Sequence, residues 1–131
     1  MNIRFQDGLL FTSIQIFFRG STKVIENIVI DTGSAETIIS PDAVEDIGIF
    51  AEMDDSVNSF YGVGGGLHNF FSKKVEKIKL GHVSLKEVKL DFGVIDPKGN
   101  INGLLGLDLL MMLGAVIDLK RLSLTLLSIE D

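Results

Sequence analysis

The sequence contains no cysteine, which excludes both a disulfide framework and a zinc site built from thiolates. The fold must therefore be stabilised by packing alone, and a reducing cytoplasm is the location we expect. Nor is there a run of about 18 apolar residues, the length that a membrane span requires. The most apolar N-terminal stretch, residues 9–18, is interrupted by Thr12, Ser13 and Gln15. The N-terminus also lacks the small-residue cleavage site of a signal peptide.

Basic residues are in the minority, with 12 Lys and Arg against 18 Asp and Glu and a formal net charge of −6. This balance predicts that the protein has no nucleic-acid partner, because phosphate binding needs a net basic face. Residues 24–72 contain no Lys or Arg at all and hold nine acids. A solvated polar face would explain this bias, and so would an acidic surround to a cleft that disfavours acidic peptides.

The length of 131 residues predicts one domain, spanning residues 1–131, with a single core. Its mean hydropathy of +0.35 is high for a monomer without a membrane span. Apolar surface that is buried against a partner chain would account for this value.

Alternating apolar residues predict a mainly antiparallel, all-β fold. Most of the remaining chain consists of residue types that favour turns. Only residues 41–47 and 107–113 indicate short helices, and we expect the second to be capped by Asp108 and closed by Gly114. The predicted strands cover residues 9–18, 24–30, 73–80, 83–95, 115–119 and 122–127, with a further hairpin over residues 57–71.

The segment Asp31-Thr32-Gly33-Ser34 follows a nearly continuous β-branched strand, residues 24–30, and leads into a second apolar run. This order places one carboxylate at the mouth of a buried strand. The tetrapeptide alone is only suggestive, because at ordinary residue frequencies it occurs by chance in about one chain in several hundred of this length. A capped turn with no chemistry is the alternative interpretation.

Two further features follow in the chain. Residues 62–66 form a glycine-rich tip between the aromatic pairs at 60–61 and 70–71, which predicts a mobile hairpin tip or a plain turn. The glycines do not form a dinucleotide-binding fingerprint, since Leu67 stands where the last glycine is needed. Later, Leu104-Leu105-Gly106 leads into the second predicted helix.

Together and in this order, the three features resemble the retropepsin-like aspartic proteases, the single-domain, dimeric relatives of pepsin and the retroviral proteases. The resemblance covers residues 9–127 and implies a closed barrel with a flap hairpin over the substrate. It implies that the catalytic residues are Asp31, Thr32 and Gly33. It also implies that substrate is bound by Ser34, Ala35, Glu36, Gly62, Val63, Gly64, Gly65 and Leu104. No cofactor and no metal are required.

Two departures from the retroviral pattern stand out. Retroviral members commonly carry an acid and an arginine that pair with each other, at the positions held here by Ala35 and Leu107. Because both partners are absent together, no unmatched charge remains. Ser34 is closer to pepsin-like and cellular members, in which this hydroxyl can hydrogen-bond the catalytic carboxylate.

Aspartic proteases activate water between two carboxylates that share one proton. This chain has only one Asp-Thr-Gly, so the second carboxylate is expected from Asp31 of an identical subunit. The resulting prediction is a homodimeric aspartic endopeptidase that acts on peptide or protein substrates, with residues 122–127 as part of the dimer sheet. The alternatives are a non-catalytic dimerisation or peptide-binding module of the same fold and, third, a different hydrolysis at the same carboxylate.

Overall fold

The computed structural model describes residues 1–61 and 66–127 and confirms the all-β prediction. Strands dominate, and the one α-helix within these residues, α1, spans Leu107–Met112. The strands are β1 (Arg4–Gln6), β2 (Leu9–Phe18), β3 (Ser21–Ile30), β4 (Ile38–Ile39), β5 (Ser56–Tyr61), β6 (Leu67–Leu80), β7 (Val83–Gly93), β8 (Gly103–Leu105), β9 (Val116–Asp118) and β10 (Ser123–Thr125).

Six of these strands close into a barrel. The main sheet has the order β1-β2-β3-β8-β4-β7-β6-β5, and β2 pairs in addition with β6, which closes the six strands from β2 to β6 into a ring. Most pairs are antiparallel, whereas β3–β8 and β4–β7 are parallel. The predicted closed, mainly antiparallel barrel is therefore confirmed.

The barrel interior is filled by branched aliphatic side chains. Ile16, Ile28, Ile39, Ile78 and Leu105 have no exposed surface, and they come from five different strands. A register shift between Thr12 and Ile14 interrupts the pairing of β2 with β3. Beyond this irregularity, residues 15–17 of β2 pair with residues 77–79 of β6, and this ladder closes the barrel.

The central hairpins differ from the prediction in one respect. Residues 57–71 and 73–80 were expected as separate units, but β6 runs without a break from Leu67 to Leu80. Its first part pairs with β5, and from Phe70 onward it pairs with β7. One long strand thus joins the predicted flap to the barrel wall. Of the predicted flap tip, residues 62–66, the first four residues lie outside the described part of the chain.

The helix predicted over residues 41–47 is wrong, because two 3-10 turns, Pro41–Ala43 and Glu45–Ile47, take its place. Val44 lies between them and has a non-helical backbone (φ −124°, ψ −1°), which interrupts the helix. Its side chain is fully buried in the core. The turn ends at Gly48, whose φ of +86° favours glycine.

Two expectations at the C-terminal end also need correction. Gly114 closes α1 as predicted, but the residue at its N-cap is Gly106 and not Asp108. The strand expected in the dimer sheet is paired within its own chain, because Ser123 lies opposite both Asp118 and Asn2. Both edges of β10 are therefore occupied. Across the described residues, no helix is long and apolar enough to cross a membrane.

Candidate active site

Asp31 lies directly after β3, at the point where this strand ends beside β8. The parallel pairing places Val29 opposite Leu104 and Ile30 opposite Leu105. The next rung is made by the Asp31 N–H, which donates to the carbonyl oxygen of Leu105 at 3.0 Å. The backbone of Asp31 is thus fixed to the barrel, while its side chain stays half-buried at the barrel edge.

The loop after Asp31 turns back onto its carboxylate. The Gly33 N–H donates to Oδ1 of Asp31 at 2.9 Å, and the Ser34 N–H donates to the Asp31 carbonyl oxygen at 3.2 Å. A Cβ atom at position 33 would lie 3.2 Å from Asp31 Oδ1, a tight contact. Glycine therefore lets the backbone approach the carboxylate, and Thr32 and Gly33 are exposed beside it.

Ser34 does not have the role that its resemblance to pepsin-like members implied. Its hydroxyl donates to the carbonyl oxygen of Glu36 at 2.8 Å and so stabilises the loop internally. Oδ1 of Asp31 receives its hydrogen bond from a backbone amide instead.

The far side of the loop is held by the start of α1. The Leu107 N–H donates to the Ser34 carbonyl oxygen at 2.8 Å, and the Asp108 N–H donates to the Ala35 carbonyl oxygen at 3.1 Å. Gly106 permits this approach, since a Cβ atom there would lie 2.6 Å from the carbonyl group of Glu36. The glycine of the Leu104-Leu105-Gly106 motif is therefore a close-packing position.

Asp108 and Thr37 form the side-chain link between the loop and α1. Thr37, which is 1% exposed, donates from its hydroxyl to Asp108 Oδ1 at 2.7 Å and from its N–H to Oδ2 at 3.1 Å. The Thr37 hydroxyl also accepts the Gly106 N–H at 3.0 Å. Sequence reasoning treated Asp108 only as a helix cap. No local sequence pattern marks this second role, because Asp108 and Thr37 are 71 residues apart in the chain.

A cleft of about 280 Å³ opens next to this loop. It brings together four of the predicted substrate-binding residues, which are Ser34, Ala35, Glu36 and Leu104. The other lining residues are Ile38, Phe70, Asp91 and Ile95. The predicted residues Gly62, Val63, Gly64 and Gly65 lie outside the described part of the chain.

Two carboxyl groups meet at this cleft. Asp91 is 8% exposed, and its Oδ1 accepts a hydrogen bond from the Ser72 hydroxyl at 2.6 Å. Glu36 is hydrogen-bonded to Asp91, and this bond, the Asp91 charge and partial burial together raise the pKa of Glu36. Sequence reasoning did not single out Asp91, which it placed only within the strand predicted over residues 83–95.

The described residues contain no group of three or more His, Cys, Asp or Glu side chains placed to hold a metal ion. What the site offers is a half-buried carboxylate at the barrel edge, a glycine loop that exposes its backbone, and an adjacent cleft.

Solved structures with the same fold are retropepsin-like. The chain is similar to a retropepsin-like aspartic protease from Rickettsia conorii (TM-score 0.64, 20% identity, 93% of each chain covered). It is also similar to the retroviral protease-like domain of Ddi1 from Leishmania major (TM-score 0.62, 18% identity, 92% of this chain and 90% of that chain covered). A third is EIAV protease in complex with the inhibitor HBY-793 (TM-score 0.62, 21% identity, 88% and 98% covered).

A search of curated proteins finds no match. In sequence, residues 22–112 match the family described as "gag-polyprotein putative aspartyl protease". This match includes Asp31, the loop that follows it, Gly106 and α1, which are the elements that build the site. The chain therefore belongs to this family of aspartyl proteases and has the retropepsin-like fold.

Proposed function

We propose that the protein is an aspartic endopeptidase whose catalytic carboxylates are Asp31 of one subunit and Asp31 of a second copy. The observation that carries this proposal is the position of Asp31. Its backbone is fixed to β8, its Oδ1 accepts the Gly33 N–H, and its half-buried side chain lies at the barrel edge. Family membership adds the chemical class.

Hydrolysis of an amide needs a base that takes a proton from water and an acid that protonates the carbonyl oxygen. Two neighbouring carboxylates that share one proton supply both, because their mutual repulsion keeps one of them protonated. Since the chain has a single Asp-Thr-Gly, the pair requires a two-fold axis between identical subunits. In this arrangement residues 1–131 act as one domain per subunit, and the isolated monomer is inactive.

Exposed apolar side chains support a second copy as partner. They concentrate near the C-terminal end of the described chain, at Met111, Met112, Val116, Leu119 and Leu127. Each is more than half exposed, which is unusual for so many large apolar residues within one short segment. Because both edges of β10 are already paired, these side chains are better candidates for the subunit contact than the β10 edge.

The remaining site residues have proposed roles around an extended peptide. The Gly33 backbone and the cleft at Ser34, Ala35, Glu36 and Leu104 would bind the peptide. The hairpin tip at Gly62, Val63, Gly64 and Gly65 would close over it, and Thr32 would support the carboxylate pair across the dimer axis. The cysteine-free composition supports a cytoplasmic location.

A non-catalytic dimerisation or peptide-binding module is the second candidate. The observation in its favour is that Ala35 and Leu107 stand where retroviral members carry a paired acid and arginine. Against it, the hydrogen bonds of Thr37 with Asp108 hold the same loop to α1 without that pair.

A comparison of wild type with Asp31→Asn tests the proposal, with Asp42→Asn as a matched control. Cleavage of a peptide library is followed from acid to neutral pH, and sedimentation reports the oligomeric state. We expect Asp31→Asn to remain dimeric and to lose about 10³-fold or more in kcat/KM, because the shared proton is lost. Asp42→Asn should retain activity. If wild type is dimeric but cuts no peptide at any pH, the protein is a binding module and not a protease.

A further inference from the structure

The surface of the cleft beside the Asp31 loop is mainly apolar, and two acids are among its lining residues. Ile38, Phe70, Ile95 and Leu104 supply most of its surface. The two acids of the lining, Glu36 from the loop and Asp91 from β7, come from segments far apart in sequence.

Asp91 reaches this cleft because of the parallel pairing between β4 and β7. Its register partner is Ile38, which also lines the cleft and lies two residues after Glu36. An acid at this buried position of β7 does not help to stabilise the barrel, because burial disfavours its charged form. Ser72 supplies one neutral hydrogen bond to Oδ1, and a hydroxyl does not balance a full negative charge.

The carboxyl groups of Glu36 and Asp91 have little positive charge around them. Asp91 raises the pKa of Glu36 most strongly and partial burial adds to this, whereas Lys89 on β7 lowers it and Asp108 at the start of α1 adds the smallest increase. The negative charge of Asp91 therefore repels that of Glu36 at the edge of this cleft. A cation placed between them would relieve this repulsion.

We propose that this cleft is a specificity pocket for a lysine or arginine side chain of the substrate, with Glu36 and Asp91 as the residues that bind its cationic end. The inference rests on the proposed function. Lysine and arginine fit both parts of the pocket, because their long apolar stems pack against aliphatic walls while the charged head reaches the carboxylates. An apolar side chain of the same length would fill the walls and leave the carboxyl pair unmatched.

This recognition should depend on pH with a definite sign. The pKa of Glu36 is raised, so lowering the pH protonates Glu36 first and removes part of the negative charge that attracts the cation. The preference for a basic side chain should therefore increase as the pH rises through the ionisation of Glu36. Removal of either carboxyl group should flatten the pH profile.

The test uses peptide pairs that carry either lysine or norleucine at each position flanking the scissile bond. Norleucine has nearly the same apolar stem and no charge. We expect wild type to prefer lysine at one position by about tenfold in kcat/KM near neutral pH, and Glu36→Gln and Asp91→Asn to lose most of this preference. Glu45→Gln, an exposed acid away from the cleft, should keep it.

Binding of the same peptides to Asp31→Asn separates the two proposals. Equal cleavage of lysine and norleucine peptides at every position would overturn the specificity pocket and leave the protease assignment intact. If wild type cleaves neither peptide, the protease assignment fails. In that case tighter binding of the lysine peptide, lost in Glu36→Gln, would still support the pocket, and equal binding would overturn it. Because Glu36 is exposed, its substitution gives this result even if Asp91→Asn fails to fold.

Discussion

The Asp31 loop and the base of the β5–β6 hairpin are both held in place by polar contacts, but the contacts are of different kinds. The loop is held by backbone amides and by the link of Thr37 with Asp108, and within the described part of the chain no ion pair contributes to it. The hairpin base is held by charge, since Lys73 Nζ lies 2.6 Å from Asp55 Oδ2 and 2.7 Å from Glu52 Oε1.

The charged contact at the hairpin base is partly buried, and this affects the pKa values of its members. The Lys73 side chain is only 6% exposed, and its hydrogen bonds are the largest cause that lowers the pKa of both Asp55 and Glu52. Burial opposes the charge of Lys73, but the two carboxylates outweigh it and raise its pKa. The base of the hairpin whose tip is proposed to move is thus fastened by ion pairs of a buried lysine that depend on pH, whereas the segment proposed to catalyse is fastened by close packing.

The largest effect is expected where packing leaves no room. Gly106→Ala would place a Cβ atom 2.6 Å from the backbone of Glu36, which cannot move aside as a side chain could. We expect the free energy of unfolding to fall by about 3 kcal/mol or more, measured by denaturant titration. Gly66→Ala is the matched control, because its Cβ would meet only the His68 ring at 3.6 Å. Equal stability of the two variants would contradict close packing as the restraint.

A smaller effect is expected at the side-chain link. Asp108→Ala removes the acceptor for the N–H and hydroxyl of Thr37, a residue that is 1% exposed. We expect a loss of about 2 kcal/mol in unfolding free energy, because buried donors are left without partners. Asp108→Asn retains one carbonyl oxygen and should lose about half as much. This loss should not change between low and high salt, and a strong salt dependence would show that charge matters here as well.

The smallest effect is expected at the hairpin base. Asp55→Asn should cost about 1 kcal/mol at neutral pH, because Glu52 still accompanies Lys73. The pKa of Asp55 is lowered in the folded state, so its contribution is complete above the ordinary value near 4 and is lost as the pH falls below it. Unfolding curves of wild type and variant should therefore converge in acid. Asp54→Asn, an exposed neighbour, should match wild type at every pH.

Local patterns predicted the barrel strands well, because each strand carries its own alternation. β2 has the bounds expected from the sequence, Leu9–Phe18, and β7 ends only two residues early, at Gly93. The order Asp31-Thr32-Gly33 after a β-branched strand likewise indicated the loop that we propose as the catalytic site. These features depend on residues that are neighbours in the chain, so they can be predicted from the sequence alone.

Features that depend on distant partners could not be predicted in the same way. The helix expected around Val44 fails because the core takes up that side chain, and no local signal gives this burial. Asp91 lies between apolar residues in a strand whose other polar residues face outward. Only the parallel pairing with Ile38 explains why it is buried at the cleft. The link of Asp108 with Thr37 similarly joins residues brought together by the fold.

The irregularity in β2 has a consequence for how the barrel forms. Its closing ladder joins residues 15–17 to residues 77–79, whereas β6 and β7 are neighbours in sequence and pair along most of their length. Joining positions so far apart in the chain costs a large loop-closure entropy. The three residue pairs of the ladder offset only a small part of this cost. The hairpins should therefore fold early and the seam between β2 and β6 should form late. Amide hydrogens at this seam should exchange with solvent sooner than those between β6 and β7, as the seam opens before the rest of the barrel.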